Sequence, residues 1–223
     1  MRSAVVALTT CLALAGLATA TALRTAPMRS AESSIPGMEV TWSELAATPC
    51  RFHDQSVRFD IQFHGRPQRW HAGPTRFGPG AFAAISAWAD EQFPWFAEEF
   101  ERPAVRVFVR LGSAADLALR SAHPHERFAV EGIVREVWRD RPWIELTNAA
   151  PLPDSIGEAT VFHAARALER MEDASFEIAD ESLQQALAAP LPDKARAELE
   201  RLRAVCAEGL AEPQHVPIRP RRK

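Results

Sequence analysis

The chain has 223 residues, 47% of them hydrophobic and 25% charged, which is enough apolar material to bury a real core and places it among globular proteins. Its formal charge of −3, from 26 basic and 29 acidic residues, argues against a broad electrostatic grip on nucleic acid or anionic lipid. The charge is uneven: residues 151–212 hold 6 basic and 13 acidic side chains, whereas the last 5 residues hold 4 basic ones, Arg219, Arg221, Arg222 and Lys223.

Arg2 precedes an uncharged apolar run over residues 3–17, and Ala18-Thr19-Ala20 then puts small residues at the two positions a signal peptidase reads. The pattern predicts an export signal over residues 1–22, cleaved after Ala20 or Ala22. The alternative is a retained anchor, because about 20 apolar residues span a bilayer. On either reading the chain is expected outside the cytoplasm, periplasmic or secreted, and the membrane is a partner only if the segment is kept. Such a compartment permits disulfides, so Cys50 and Cys206 are either bridged or two separate thiols.

Residues 23–37 read as a linker, 38–150 as one compact domain, 151–210 as a helical appendage and 211–223 as a disordered basic tail. Residues 41–47 predict a short helix stopped by Thr48-Pro49. Val57, Phe59, Ile61 and Phe63 alternate with Arg58, Asp60, Gln62 and His64, which predicts a strand with one face in a core. A Gly- and Pro-rich loop follows, with an irregular second strand around residues 69–77. Beyond Gly78-Pro79-Gly80, Phe82, Ile85, Trp88 and Ala89 fall at helical spacing and predict a helix that Pro94 breaks. Its solvent side is acidic, with Asp90, Glu91, Glu98, Glu99 and Glu101. Residues 104–111 form the third strand, Val105, Val107, Val109 and Leu111 on one face and Arg106, Phe108 and Arg110 on the other. Ser113 caps a short helix. A long strand over 127–138 turns at Arg139-Asp140-Arg141-Pro142 into a last strand over 143–148. The remainder reads as helices over 158–174, 176–188 and 193–208.

Five strands with a helix between the third and fourth resemble the oligonucleotide/oligosaccharide-binding (OB) fold. The likeness covers about residues 42–149. Leu45-Ala46-Ala47-Thr48-Pro49 leading to Val57-Arg58-Phe59 is similar to the start of bacterial OB-like domains, and Gly132 lies in the fourth strand. The expected fold class is α+β: a five-stranded OB-like β-barrel with an inserted helix, followed by a C-terminal α-helical hairpin. In the helical part, Phe176, Ala179, Leu183 and Ala186 before Pro190 and Pro192 resemble the second helix of a tetratricopeptide repeat. A plain amphipathic hairpin packed on the barrel is the alternative.

The OB resemblance implies a ligand face on strands two and three, between the first and last hairpin loops. Those positions carry Arg66, Arg69, Trp70 and His71 in the first loop, Arg106, Phe108 and Arg110 on the third strand, and Trp138, Arg139 and Arg141 in the last. Arginine beside aromatic rings suits stacking and phosphate binding. The competing reading is that the acidic inserted helix covers Phe108 and pairs with Arg106 and Arg110.

His123-Pro124-His125 lacks a third ligand nearby and reads as a solvated turn. The chain contains no Gly-x-Ser-x-Gly elbow, His-Glu-x-x-His helix, phosphate loop or dinucleotide fingerprint. No catalytic residue, cofactor or metal is therefore expected. The expected role is an exported binding or scaffold module for another envelope or secreted protein. An oligosaccharide, small ligand or single strand on the Arg/Trp face is the alternative, with nucleic acid disfavoured by charge and address.

Overall fold

The computed structural model describes residues 37–211, so the expected signal, nearly all of the linker and nearly all of the basic tail lie outside the described residues. A two-residue strand, β1 (Met38–Glu39), leads into helix α1 (Trp42–Ala47). The helix starts at Thr41 because a capping box forms there: Thr41 Oγ1 accepts from the Glu44 N–H, and the Glu44 carboxylate accepts from the Thr41 N–H. A 3-10 turn over Pro49–Phe52 delivers the chain to β2 (Ser56–Gly65), whose Val57, Phe59, Ile61 and Phe63 enter the core as their alternation predicts.

The segment expected to be an inserted helix is instead strand β3 (Phe82–Ala89), and the irregular strand expected around residues 69–77 is loop. The physical reason is that both faces of β3 are covered. Ala83, Ile85, Ala87 and Ala89 pack into the barrel, while Phe82, Ala84 and Trp88 are buried on its outer side. A strand whose single polar residue is Ser86 shows no clear period of two, and Phe82, Ile85, Trp88 and Ala89 then match a helical spacing equally well. Only the short helix α2 (Ala97–Glu101) lies between β3 and the next strand, β4 (Val105–Arg110). Leu111, expected on the core face of that strand, falls just past its end and is exposed.

Helix α3 (Ala114–Arg120) follows, capped by Ser113, and then β5 (Arg127–Trp138) and β6 (Arg141–Pro151). The last two form the expected hairpin, with Arg139 and Asp140 both at positive φ, 52° and 56°, as a two-residue turn matching strand twist requires. Strands β2 to β6 close into a barrel in the order β2-β3-β4-β6-β5, with β5 returning to β2. Every barrel pairing is antiparallel except β4 with β6, where Phe108 lies opposite Glu145. With α3 joining the third barrel strand to the fourth, this is OB-like connectivity in an α+β fold. Gly132 is needed where β5 bends against β6: a Cβ there would lie 2.8 Å from Ile144 Cγ2 and 2.9 Å from the Glu145 carbonyl oxygen.

The C-terminal segment is three helices, α4 (Glu158–Glu172), α5 (Phe176–Ala186) and α6 (Asp193–Ala211). Ala164, Ala167, Ala179, Leu183 and Leu199 form a second core, which also takes Trp95 from the β3–β4 connection and Ile156 from the passage into α4. Trp95 thus inserts a barrel loop into the helical layer. No helix among the described residues is long and apolar enough to cross a membrane.

Candidate functional site

Strands β3, β4 and β6 turn Phe82, Ala84, Phe108 and Trp143 to the outside of the barrel, the face on which the OB resemblance places a ligand. That face is covered by the protein itself. The loop over residues 66–81 folds back across it, and the fully buried Phe77 stacks on Phe108 at 4.6 Å and on Trp143 at 5.7 Å between ring centroids. Phe108 and Trp143 are parallel at 4.7 Å, and Trp70 tilts onto Phe108 at 5.0 Å. Trp138 meets Trp143 edge-on at 5.9 Å and closes one side of the cluster. Gly73, at φ 59°, lies flat on Trp138, where a Cβ would come within 2.9 Å of the indole. The result is a small aromatic core outside the barrel, built in the ring geometries that aromatic pairs prefer. Phe108 is covered, as the competing reading held, but by the aromatic side chains of the loop and not by an acidic helix.

The arginines of the expected site are divided between packing and solvent. Arg66 pairs with Asp116 at 2.7 Å and so fastens the start of the loop to α3. Asp116 is fully buried and also accepts from the Gly112 N–H at 2.8 Å and from Arg120. Burial pushes its carboxyl up, but the Gly112 N–H and the two guanidinium groups outweigh that and hold it below the usual carboxylate range. Arg110 lies over the Phe82 ring at 4.8 Å and shares Glu145 with Arg135, at 3.1 and 3.0 Å. Arg139 lies over Trp138 at 4.5 Å. Arg69, His71, Arg106 and Arg141 are exposed around the rim. The structure therefore gathers Trp70, Phe108 and Trp138 into one cluster and leaves the arginines at its border.

Cys50 is an exposed thiol on the 3-10 turn and Cys206 a buried one in the helical core, so the bridge left open by the sequence is not formed. Burial pushes the Cys206 thiol up, which keeps it protonated and unreactive. Cys50 borders an open groove of about 500 Å³ together with His53, Glu136 and Trp138. His123 is exposed as a solvated turn requires, but His125 is buried, which corrects that expectation for the second histidine. Among the described residues no cluster of His, Cys, Asp and Glu is arranged to hold a metal ion.

Among the described residues the most elaborate polar arrangement lies between the barrel and α6, which no local pattern announces. Arg127 on β5 binds Asp60 at 2.8 Å, Asp90 at 2.7 Å and Asp154 at 2.6 Å. Lys194 at the start of α6 adds contacts to Asp90 at 2.8 Å and Glu91 at 3.3 Å. Asp60, Asp90, Glu91 and Lys194 border a cleft of about 370 Å³ that Trp42 and Arg58 also line. Burial pushes the Asp60 carboxyl up against the pull of Arg127. Asp60 occupies a polar position of the alternating strand β2 and Arg127 the first position of β5, so only the fold reveals that they meet. No protein-family model matches the chain, and no curated protein shows significant similarity to it.

Proposed function

We propose that this chain is an exported, non-catalytic binding or scaffold module whose OB-like barrel presents its helical segment to another envelope or secreted protein. The observation that carries this reading is the sealed barrel face. Phe77 and Trp70 occupy, with the protein's own rings, the surface a small ligand or a single strand would use. Recognition is left to the outer side of the helices, where Phe162, Ile178 and Leu210 are large, apolar and exposed within the acidic segment. Aromatic and aliphatic side chains standing in a polar surround are the usual anchors of a protein interface. Helices α4 and α5, packed through Ala164, Ala167, Ala179 and Leu183, fit a tetratricopeptide-like unit that leans on the barrel in place of neighbouring repeats. The apolar N-terminal run and its small-residue exit support an extracytoplasmic address.

Affinity capture from an envelope fraction tests the reading. The wild-type chain is expected to retain a partner that Phe162→Glu loses while melting at the wild-type temperature. No partner above background, or capture unaffected by both Phe162→Glu and Ile178→Glu, overturns it. Tryptophan fluorescence is expected to stay flat on titration with oligosaccharides or single-stranded oligonucleotides. A saturable quench abolished by Trp70→Ala and by Arg106→Ala would favour the ligand-binding alternative instead.

A further inference from the structure

The chain leaves the barrel at Pro151 and reaches α4 through residues 152–157. Within that passage the Ile156 peptide is clasped by the side-chain amide of Gln62 on β2. Gln62 Oε1 accepts from the Ile156 N–H at 3.1 Å, and Gln62 Nε2 donates to the Ile156 carbonyl at 3.0 Å. The two bonds together fix which way the amide faces. Its second Nε2 hydrogen is then the one available to His125 Nδ1, 3.4 Å away, and that nitrogen has to act as acceptor and carry no proton. His125 is buried at φ 73°, its N–H bonded to the Phe63 carbonyl and the Phe63 N–H to the Glu126 carbonyl, 2.8 Å each. Its ring stacks on Trp88 at 5.1 Å. The imidazole therefore has little freedom to turn away.

We propose that His125 is an acid-operated latch: protonation of its imidazole opens the Gln62–Ile156 clasp and loosens the passage that ties the helical segment to the barrel. A proton on Nδ1 faces the Gln62 amino group donor to donor and competes with it for the Ile156 carbonyl. Turning the Gln62 amide over sets its NH2 against the Ile156 N–H. Neither orientation keeps both bonds to Ile156 and also serves a charged ring.

The surroundings decide how readily the proton is taken. From β2, His64 packs edge-on against the same Trp88 indole at 4.8 Å and adds a like charge when protonated. From α4, Glu158 is the opposing charge that favours the imidazolium, and the Ile156 carbonyl acts in the same direction. On the turn itself Glu126 is engaged by His123 at 3.2 Å. From α2, the Glu99 carboxylate is engaged by the Phe93 N–H, and its carbonyl accepts from Trp88 Nε1 at 2.9 Å. Burial outweighs Glu158 and holds the His125 pKa below the ordinary imidazole value. An imidazole depressed in this way leaves the clasp intact above its unfolded pKa. Protection is lost as pH falls from that value toward the folded one. The latch goes beyond the binding reading and stands whether or not a partner is found.

Hydrogen exchange of the Ile156 amide in the full chain, corrected for the intrinsic rate, tests the latch between about pH 7.5 and about pH 5, the interval a histidine spans. Protection is expected to fall by up to about tenfold per pH unit, the limit for one proton taken up per opening. Amides of the β5–β6 pairing are expected to keep theirs. In His125→Asn, which tolerates a positive φ and cannot titrate, the dependence is expected to vanish, whereas His64→Gln is expected to retain it. Flat protection in the wild type, or a dependence that survives in His125→Asn, overturns the proposal. Nitrogen NMR of the wild-type ring gives a check that needs no variant: Nδ1 is expected bare at neutral pH, and a protonated Nδ1 there also overturns it.

Discussion

Replacing Arg127 with alanine is expected to destabilise the protein by about 3 kcal/mol, the low end of the range for removing one partner from a buried ion pair, because solvent screens carboxylates that stay 20–35% exposed. The guanidinium is almost wholly buried and is bonded by Asp60, Asp90 and Asp154 at 2.6–2.8 Å. Without it three carboxylates converge on a shared space, with Lys194 reaching Asp90 alone among them. Asp60 then loses the guanidinium that favours its ionised form. The sign of the pH dependence follows from Asp60, whose carboxyl burial already pushes up in the presence of Arg127. A carboxyl whose folded pKa lies above its unfolded value weakens the fold at neutral pH, and that penalty shrinks as pH falls through the folded pKa. Urea unfolding of wild type and Arg127→Ala at about pH 7 and about pH 5 is therefore expected to give a narrower gap at the lower pH. The contribution of His125 is common to both proteins and cancels in the difference. A gap independent of pH would mean that the three carboxylates do not sense one another.

The parts of this fold that could be read in advance are those in which one face is polar. Strand β2 declared itself through Arg58, Asp60, Gln62 and His64, and the β5–β6 hairpin through its turn between Trp138 and Arg141. Helix α1 was marked by Thr41 and Glu44, whose capping box needs only local sequence. Strand β3 was missed because Phe82 and Trp88 are buried on the side that would normally be polar. Its covering material comes from the loop over residues 66–81 and from His125, so the information needed to identify it is not local. The pairing of β2 with β5 that closes the barrel, Ser56 opposite Ile133 through Gln62 opposite Arg127, leaves no local mark either.

The candidate site was legible in residue type but not in use. Trp70, Phe108 and Trp138 do share one face, as the strand and loop positions implied. What the sequence could not supply is the fourth party, Phe77, which the pattern puts at the end of an irregular strand over residues 69–77 and the structure puts in a loop beside the Gly78-Pro79-Gly80 turn. A fully apolar ring in a Gly- and Pro-rich loop was the one available signal that the loop packs back on the barrel. His125 was hidden differently. Its proline neighbour suggested a surface turn, and a positive φ at a histidine cannot be read from sequence. Gln62 alternates with the core residues of β2, and alternation identifies the face opposite the core without saying what covers it.

Phe77→Ala is expected to cost about 3–5 kcal/mol, the range for truncating a buried phenylalanine, and to act on a part of the molecule different from Arg127. The ring is fully buried and contacts Phe82 at 4.9 Å, Phe108 at 4.6 Å and Trp143 at 5.7 Å, all outside the barrel interior. Val107, Ile144 and Leu146 inside the barrel belong to a separate core and keep their packing. The expected result is a barrel that stays closed beneath a loosened loop. Hydrogen exchange would show β5–β6 amides still protected while the loop over residues 66–81 exchanges freely. Trp143 loses the ring that stacks on it, and Trp70 and Trp138 the cluster they pack against, so tryptophan emission shifts to the red and a dye specific for apolar surface binds. Phe77→Leu keeps most of the volume and is expected to lose only about 1 kcal/mol without either signal. The same variant separates the two ways a barrel of this kind can be used. If Phe77→Ala acquires a quench with oligosaccharide or single-stranded oligonucleotide that the wild type lacks, the loop is what denies the barrel face to such ligands. If the uncovered face still binds neither, its rings serve the fold alone, and recognition by this protein rests on its helices.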